Sequence, residues 1–223
     1  MRINHNITAL NNHRNMSLNN VATGKNMEKL SSGLRINRAG DDAAGLAVSE
    51  KMRGQIRGLE QAQRNVQDGI SFVQTAEGAM NEVSAMLTRM KELHVQRANG
   101  TYTTSQKANI DVELNALSSQ IDSIMDNTTF NGINITSTIS IQADDNKVTI
   151  SISGIATTSF YGLATSAGIS GIETAIEAVS TQRAQLGAMQ NRLEYTSNNL
   201  GTTIENLTAS ESRIRDTDMA KEM

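Results

Sequence analysis

The longest patterned segment of the sequence runs from Ala43 to Ala98 and consists of AAGLAVSEKMRGQIRGLEQAQRNVQDGISFVQTAEGAMNEVSAMLTRMKELHVQRA. Its larger apolar residues recur at spacings of three, four or seven: Ile56, Leu59, Val66, Ile70, Val73, Met80, Val83, Leu87, Met90 and Leu93. A repeat near 3.5 residues predicts a helix that packs along a seam against other helices. An unbroken helix of this length would span on the order of 80 Å. That length is typical of an elongated bundle.

The segments on either side of this helix are also predicted to be helical. Residues from Ile3 to Leu34 carry a narrow apolar stripe among Asn and Ser, so this helix needs a partner to be stable. Asn99-Gly100-Thr101 is a helix stop, and a third helix is predicted from Ser105 to Met125. Because the connection is short, the second and third helices should be antiparallel neighbours.

The last segment, from Gly171 to the end, is predicted to be a long helix with a coiled-coil-like seam. Ile, Leu and Val recur with alternating spacings of three and four, but polar residues occupy some seam positions. Such positions specify register and partner at some cost in stability. These polar seam residues are Arg183, Gln190, Ser197 and Glu211.

The middle of the chain has a different period. Apolar residues alternate at Ile139 and Ile141 and again from Val148 to Ile152, with Asp144, Asp145 and Asn146 between them. This pattern predicts a β-hairpin within residues 133–155. Thr157 to Ser170 is rich in small residues and is predicted to be a loop.

The predicted fold is therefore mainly α: a long antiparallel helical coiled-coil bundle with a small β-hairpin insert. We expect an N-terminal helical arm and linker at 1–42, and a core of two antiparallel helices at 43–129. The hairpin and loop should occupy 130–170, and the C-terminal long helix 171–223. The first and last helical regions should pair to bury their stripes, which predicts a surface for assembly between molecules.

The composition excludes several classes of protein. The 223 residues include no Pro, Cys or Trp, whereas roughly 11 Pro would be usual at a frequency of about 5%. Absence of Pro suits long helices, and absence of Cys excludes disulfides and thiolate chemistry. A net charge of −3 with 3% aromatic residues argues against nucleic-acid binding. No apolar run approaches the roughly 18 residues of a membrane-spanning helix, so membrane insertion is not predicted.

The residues that usually carry chemistry form no constellation. His5, His13 and His94 lie on separate segments without metal-ligand spacing, and we interpret them as surface residues on helices. Nucleotide-binding Gly motifs and Ser-nucleophile motifs are absent from the sequence. The pairs Asp41-Asp42 and Asp144-Asp145 are explained by a helix cap and a turn. We therefore predict no catalytic residue, no metal site and no cofactor.

Several long motifs resemble bacterial flagellin. EKLSSGLRINRAGDDAAGLAVSEKMRGQIRGLEQAQRNVQDGISFVQTAEGAMNEVSAMLTRMKELHVQRAN, from Glu28 to Asn99, is similar to the family's N-terminal core. LGAMQNRLEYTSNNLGTTIENLTASESRIRDTDMAKEM, from Leu186 to Met223, resembles its C-terminal core. FNGINI at Phe130 to Ile135 and MRINHNITALNN at the N-terminus fit as well. The resemblance covers nearly the whole chain and indicates a short form with little or no outer domain.

The resemblance implies a structural subunit of the extracellular flagellar filament. Members of the family are exported unfolded through the flagellar export apparatus with the help of a chaperone, without a cleaved signal, and polymerise at the filament tip. Their terminal helices form an inner coiled-coil tube. The implied partners of this chain are therefore other copies of itself, the export apparatus and its chaperones.

The C-terminal end departs from the family pattern. The sequence stops at Ala220-Lys221-Glu222-Met223, where the family continues for a few dozen residues that complete the inner tube and bind the chaperone. We therefore expect a chain that folds its core but polymerises poorly.

The resemblance also implies recognition by a toll-like receptor of an animal host. The residues that match the family's receptor-recognition site are Arg89, Leu93 and Glu113. On this interpretation Arg89 and Glu113 face solvent and Leu93 is an anchor in a receptor pocket. The alternative is that the two charges are ordinary surface residues and Leu93 belongs to the seam. His94 follows Leu93 where a small residue is expected, which bears on the potency of this chain as a receptor ligand.

Two other interpretations of the whole chain stay open at this point. A hook–filament junction protein would share the helical ends but match LSSGLRIN and DDAAG less closely. A helical adaptor or chaperone would bind partners without forming filaments and would not need to be free of Pro. An enzyme is the interpretation with the least support.

Overall fold

The computed structural model describes residues 6–146, 148–163 and 168–223. The helices in this part of the chain are α1 (Ile7–Ser32), α2 (Ala43–Ala98), α3 (Thr104–Asn127), α4 (Gly168–Arg215) and α5 (Met219–Glu222). The strands are β1 (Thr129–Phe130), β2 (Ile133–Asn134), β3 (Ile139–Gln142) and β4 (Thr149–Ile152). The prediction of a mainly α fold of long antiparallel helices with a small β-hairpin is confirmed.

The helices begin where side chains satisfy free backbone donors. Asp42 accepts a hydrogen bond from the backbone N–H of Gly45 at 2.8 Å and so caps α2. Asp41 does not cap the helix; its carboxylate accepts from the backbone N–H of Arg38 at 3.0 Å, and this bond lowers the pKa of Asp41. Thr103 and Gln106 form a reciprocal capping box at the start of α3.

Residues 59–201 form one compact unit in which both α3 and α4 run antiparallel to α2. Ion pairs between α2 and α4 show this orientation for α4: Lys91 pairs with Glu173 at 2.9 Å, and Arg183 pairs with Glu77 at 3.8 Å. Most of the seam predicted for α2 is buried and packs with the apolar faces of the other two helices, while Ile56 and Ile70 are half-buried. The buried seam residues include Val66, Val73, Met80, Val83, Leu87, Met90, Leu114, Ile121, Met125, Val179, Leu186 and Leu193.

The predicted hairpin is confirmed as β3 and β4, which pair antiparallel with Ile141 opposite Ile150. Both of these side chains are buried, and the Nδ2 of Asn65 on α2 donates to the backbone oxygen of Gln142 at 3.2 Å. Gly69 makes room for the hairpin, because a Cβ at that position would overlap the end of the Ile141 side chain.

A second, smaller hairpin was not predicted. Strands β1 and β2 are two residues each, and the Asn131-Gly132 turn between them has φ values of 50° and 78°. Asn-Gly with two positive φ angles is the preferred composition of a two-residue hairpin turn. Strands of this length are too short to show alternation, so only the Asn-Gly pair could have indicated the turn.

Residues 1–58 and 202–223 form the other compact unit. It contains α1, the linker after α1, and both ends of the chain that the structure describes. The C-terminal end of α1 is closed by Gly33, which has a φ of 71° and donates from its N–H to the backbone oxygen of Lys29 at 2.8 Å. Ile36 in the linker is buried.

The structure corrects two predicted boundaries. The terminal helix was expected to run to the end of the chain, but α4 ends at Arg215, where backbone pairing with the linker replaces the helix. The loop predicted for Thr157 to Ser170 is shorter, because α4 already begins at Gly168; residues 164–167 lie outside the described part of the chain. Helix α1 begins at Ile7 with Asn6 as its cap, and the predicted start at Ile3 lies outside the described residues.

Replacement of Gly78 by Ala is expected to stabilise the chain by about 1 kcal/mol, because Ala has the higher helix propensity. Gly78 lies inside α2, is exposed, and has nothing within 4 Å of where a Cβ would lie. Urea unfolding followed by circular dichroism measures the change. Gly69→Ala on the same helix is the matched control, and it should lose this gain through contact with Ile141. Equal stabilisation by both would contradict the packing described here.

Candidate functional site

The predicted receptor-recognition residues Arg89 and Glu113 lie together at the surface of unit 59–201. Arg89 on α2 donates from Nε and Nη2 to Oε1 of Glu113 on α3, at 3.1 and 3.0 Å. Its Nη1 also donates to Glu92 at 3.1 Å. The hydrogen bond to Glu113, followed by that to Glu92, raises the pKa of Arg89 above its ordinary value. All three side chains are about half exposed.

Leu93 is placed differently from its two companions. Its side chain is 1% exposed and belongs to the seam between the helices of this unit. It is therefore not available as an anchor for a receptor pocket in this structure, and its position matches the alternative in which Leu93 is a core residue. The physical reason is its place in the α2 repeat, three residues after the buried Met90.

His94 is buried, although the sequence predicted a surface residue. It is 4% exposed, and its Nε2 has no hydrogen-bond partner among the described residues. One helical turn later Arg97 pairs with Asp111 on α3, with Nη2 at 3.3 Å from Oδ2. Burial lowers the pKa of His94 below its ordinary value of 6.5; the positive charge of Arg97 lowers it further, and Asp111 opposes both. His94 is therefore neutral at pH 7.

Acidification is expected to destabilise the chain through His94. Below about pH 6.5 the unfolded chain binds a proton at this imidazole that the folded chain does not yet bind, so stability falls as the pH falls. The loss continues until the pH passes the lowered folded-state pKa. The role of His94 is tested by thermal unfolding of the wild type and of His94→Gln between about pH 7.5 and pH 5.5. The variant should show a smaller fall in Tm; an identical fall in both would remove His94 from the effect.

In the other compact unit, residues 33–35 pair with residues 214–217 through backbone hydrogen bonds. This pairing is called the clasp below. The N–H of Arg35 donates to the oxygen of Arg215 at 2.7 Å, and the N–H of Thr217 donates to Gly33 at 3.0 Å. The guanidinium of Arg35 donates from Nε and Nη2 to the oxygen of Ile214, which is left free by the end of α4. Sequence periodicity could not predict this clasp, because it depends on irregular backbone.

Beyond the clasp, α5 contacts the end of α1. Lys29 donates to Glu222 at 3.0 Å, and both side chains are largely covered. Arg215 also pairs with Glu50 on α2 at 3.0 Å. These contacts place the N-terminal and C-terminal segments of the described chain side by side.

The rest of α1 is uncovered. In the described part of the chain, none of its 26 residues is buried. Its exposed apolar side chains are Ile7, Leu10, Met16, Leu18, Val21 and Met27. They are the largest group of exposed apolar residues on any one helix described here.

These apolar residues occupy two sides of α1. Ile7, Leu10, Leu18 and Val21 are separated by three, eight and three residues, so they lie along one side. Met16 follows Ile7 by nine residues, about two and a half turns, and so lies on the opposite side. Met27 follows Met16 by eleven residues, about three turns, and shares its side. Covering α1 therefore requires neighbours on two sides.

Among the described residues, no group of three His, Asp or Glu side chains is arranged to hold a metal ion. Within the same residues, no helix is long and apolar enough to cross a membrane.

Comparison with known families decides between the remaining interpretations. The model of the bacterial flagellin N-terminal helical region matches residues 3–140, and that of the C-terminal helical region matches residues 169–223. The chain belongs to the flagellin family. A flagellin is a structural protein of the extracellular flagellar filament that serves motility, and it is not an enzyme.

Individual flagellins are similar over the full length of the chain. A flagellin of Bacillus subtilis (strain 168) is 48% identical over 100% of this chain and 90% of its own length. A flagellin of Halalkalibacterium halodurans is 51% identical over 100% of this chain and 88% of its own. The crystal structure of Bacillus cereus flagellin, 32% identical, covers 61% of this chain and 88% of its own, with a TM-score of 0.54. The flagellin fold and family predicted from the sequence are confirmed.

Proposed function

We propose that this flagellin polymerises by burying both sides of α1 (Ile7–Ser32) against terminal helical segments of neighbouring copies. The single observation behind the proposal is that α1 has apolar residues on two opposite sides and none of them is buried in the described part of the chain. Exposed apolar surface of this extent is unfavourable in an isolated molecule. The clasp at 33–35 and 214–217 supports the proposal, because it brings the C-terminal segment of the same chain to the base of α1.

A second copy is needed for geometric reasons. A terminal helix of the same chain can cover only one side of α1, since two helices in contact share a single seam. The opposite side, which carries Met16 and Met27, would remain exposed. A filament supplies further copies and so covers both sides. Burial of both sides would pair the terminal helices of different copies, as the family resemblance implies.

The test replaces Leu18 and Val21 together by Asn in a bacterial strain that makes this chain as its sole flagellin. The 59–201 unit should melt at the wild-type temperature, but cells should lose filaments and motility, because a polar side of α1 no longer drives association. Val112→Asn is the matched control, since Val112 is equally exposed but lies on α3. Normal filaments from the α1 double variant would overturn the proposal.

We also propose that the chain is exported unfolded through the flagellar export apparatus. Its composition supports this, because without Pro or Cys no slow isomerisation or disulfide step delays refolding after export. Fusion of a stably folded domain to the chain should block secretion, whereas a disordered segment of equal length should not. Secretion of the folded fusion would contradict the proposal.

The third proposal is recognition of the Arg89–Glu113 surface by the host toll-like receptor for flagellin. Its support is the family resemblance together with the half-exposed ion pair between α2 and α3. Arg89→Ala should weaken receptor binding and signalling, while Arg64→Ala, an exposed charge on the same helix, should not. Leu93→Ala should act through the fold, because Leu93 is buried, so its melting temperature must be measured alongside binding.

A further inference from the structure

The Met residues that the structure describes fall into sharply different environments. Met80, Met90 and Met125 are fully buried in the core of unit 59–201. Met16 and Met27 on α1 are 67% and 64% exposed, and Met219 and Met223 near the C-terminal end are also exposed. Oxidation of Met follows the exposure of its sulfur. An oxidant in solution should therefore reach the α1 pair and leave the core intact.

We infer that Met16 and Met27 form an oxidation site through which peroxide controls assembly of the subunit. In the reaction the thioether sulfur attacks one oxygen of hydrogen peroxide, an S–O bond forms, and the O–O bond breaks. The sulfur is oxidised by two electrons to the sulfoxide. The departing hydroxide takes the remaining peroxide proton and leaves as water.

The position of the two side chains on α1 explains why their oxidation would affect assembly. Met16 and Met27 lie on one side of α1, opposite the side that carries Ile7 and Leu18. Apart from Leu30, they are the only large apolar side chains there among the described residues. Conversion of both to sulfoxides would make that side of the helix polar. One apolar side would remain, which is enough for a single partner helix but not for neighbours on two sides.

The inference rests on the proposed burial of α1 on assembly, and it adds that peroxide acts on free subunits before they assemble. A free subunit exposes both sulfurs, so peroxide would act before polymerisation. A subunit already in a filament would have them covered. Oxidation would thus prevent incorporation of free subunits and leave existing filaments intact. Because Met sulfoxide is reducible, the block would be reversible.

The experiment compares subunits dissociated from isolated native filaments with the intact filaments, both treated with hydrogen peroxide. Peptide mass analysis of the subunits should find sulfoxide at Met16, Met27, Met219 and Met223 but not at Met80, Met90 or Met125. The critical concentration for reassembly should rise about tenfold or more. Methionine sulfoxide reductases of both stereospecificities should restore it.

A Met16→Leu, Met27→Leu double variant is the matched control, since Leu replaces Met at little packing cost and leaves the terminal Met residues oxidisable. Treated in the same way, it should assemble as before treatment. An equal loss of assembly in the variant would overturn the inference. Met16→Gln with Met27→Gln imitates the polar product and should raise the critical concentration without peroxide; normal assembly of that variant would also overturn it.

The filament sample separates failure of this inference from failure of the proposed function. If peroxide oxidises Met16 and Met27 equally in filaments and free subunits, α1 is not buried on assembly and both proposals fall. If filaments protect them but oxidised subunits assemble normally, the burial of α1 stands, and only the proposed effect of oxidation on assembly is wrong. Protection in filaments together with loss of assembly by oxidised subunits supports both.

Discussion

Phe72→Ala is expected to lower the free energy of unfolding by about 3–5 kcal/mol. Phe72 lies on α2 (Ala43–Ala98) and is 2% exposed. Its ring meets that of Phe130 edge to face, with centroids 6.1 Å apart and an angle of 88° between the planes. The truncation removes this pair and leaves a cavity at the point where the β1–β2 hairpin packs on α2, in a chain with few other aromatic residues to fill it.

The effect is measured by urea unfolding followed by circular dichroism at about 222 nm, where the signal follows helix content. Tyr195→Ala is the matched control, because Tyr195 is an aromatic residue on a helix of the same unit but is 78% exposed. The control should change stability by no more than about 0.5 kcal/mol. Comparable losses from both substitutions would mean that the Phe72 contact does not hold the hairpin.

Gly154→Ala is expected to cost about 3 kcal/mol, although Ala usually stabilises a chain relative to Gly. Gly154 follows β4 (Thr149–Ile152), and its backbone passes directly over residues 136–137. A Cβ there would overlap the carbonyl of Thr136 and lie 2.7 Å from the carbonyl carbon of Ser137. Since these are backbone atoms, no rotamer change relieves the overlap, and the base of the hairpin must move.

Two observations should accompany the loss of stability. The hydrogen bond from the Gly154 N–H to Thr138 and the pairing of Ile155 with Ile135 should weaken, so amide exchange should accelerate at these sites. Gly100→Ala supplies the control, because nothing lies within 4 Å of a Cβ at Gly100. Unchanged stability and exchange in Gly154→Ala would contradict the close approach of the two segments.

Helical periodicity in the sequence was sufficient to locate the helices because their seams repeat along the chain. The predicted limits of α2, Ala43 and Ala98, coincide with those in the structure, since Asp42 caps one end and Asn99-Gly100 stops the other. The β3–β4 hairpin was predicted for a similar reason, because its strands alternate over four residues each. Shorter features, such as the β1–β2 hairpin and the break after Arg215, have no period to detect.

The geometry of the candidate receptor-recognition site could be predicted from the sequence only in part. The resemblance to flagellin indicated Arg89, Leu93 and Glu113, and the structure brings the two charges together at 3.0 Å. It buries Leu93 and His94, whose positions depend on how three helices share one seam. Burial of His94 beside the Arg97–Asp111 pair could not be inferred from spacing, because a single His in an amphipathic helix is compatible with either face.

The sequence by itself determined the helical character of this protein, its hairpin and its membership of the flagellin family, because these depend on local periodicity and on long motifs in order. Only the tertiary structure decided which apolar residues are covered. It buries most of the seam of α2 and leaves both apolar sides of α1 exposed, although both segments have apolar repeats. The physical reason is that burial requires a neighbour at the right distance. In the described part of this chain α2 has such neighbours in α3 and α4, whereas most of α1 has none.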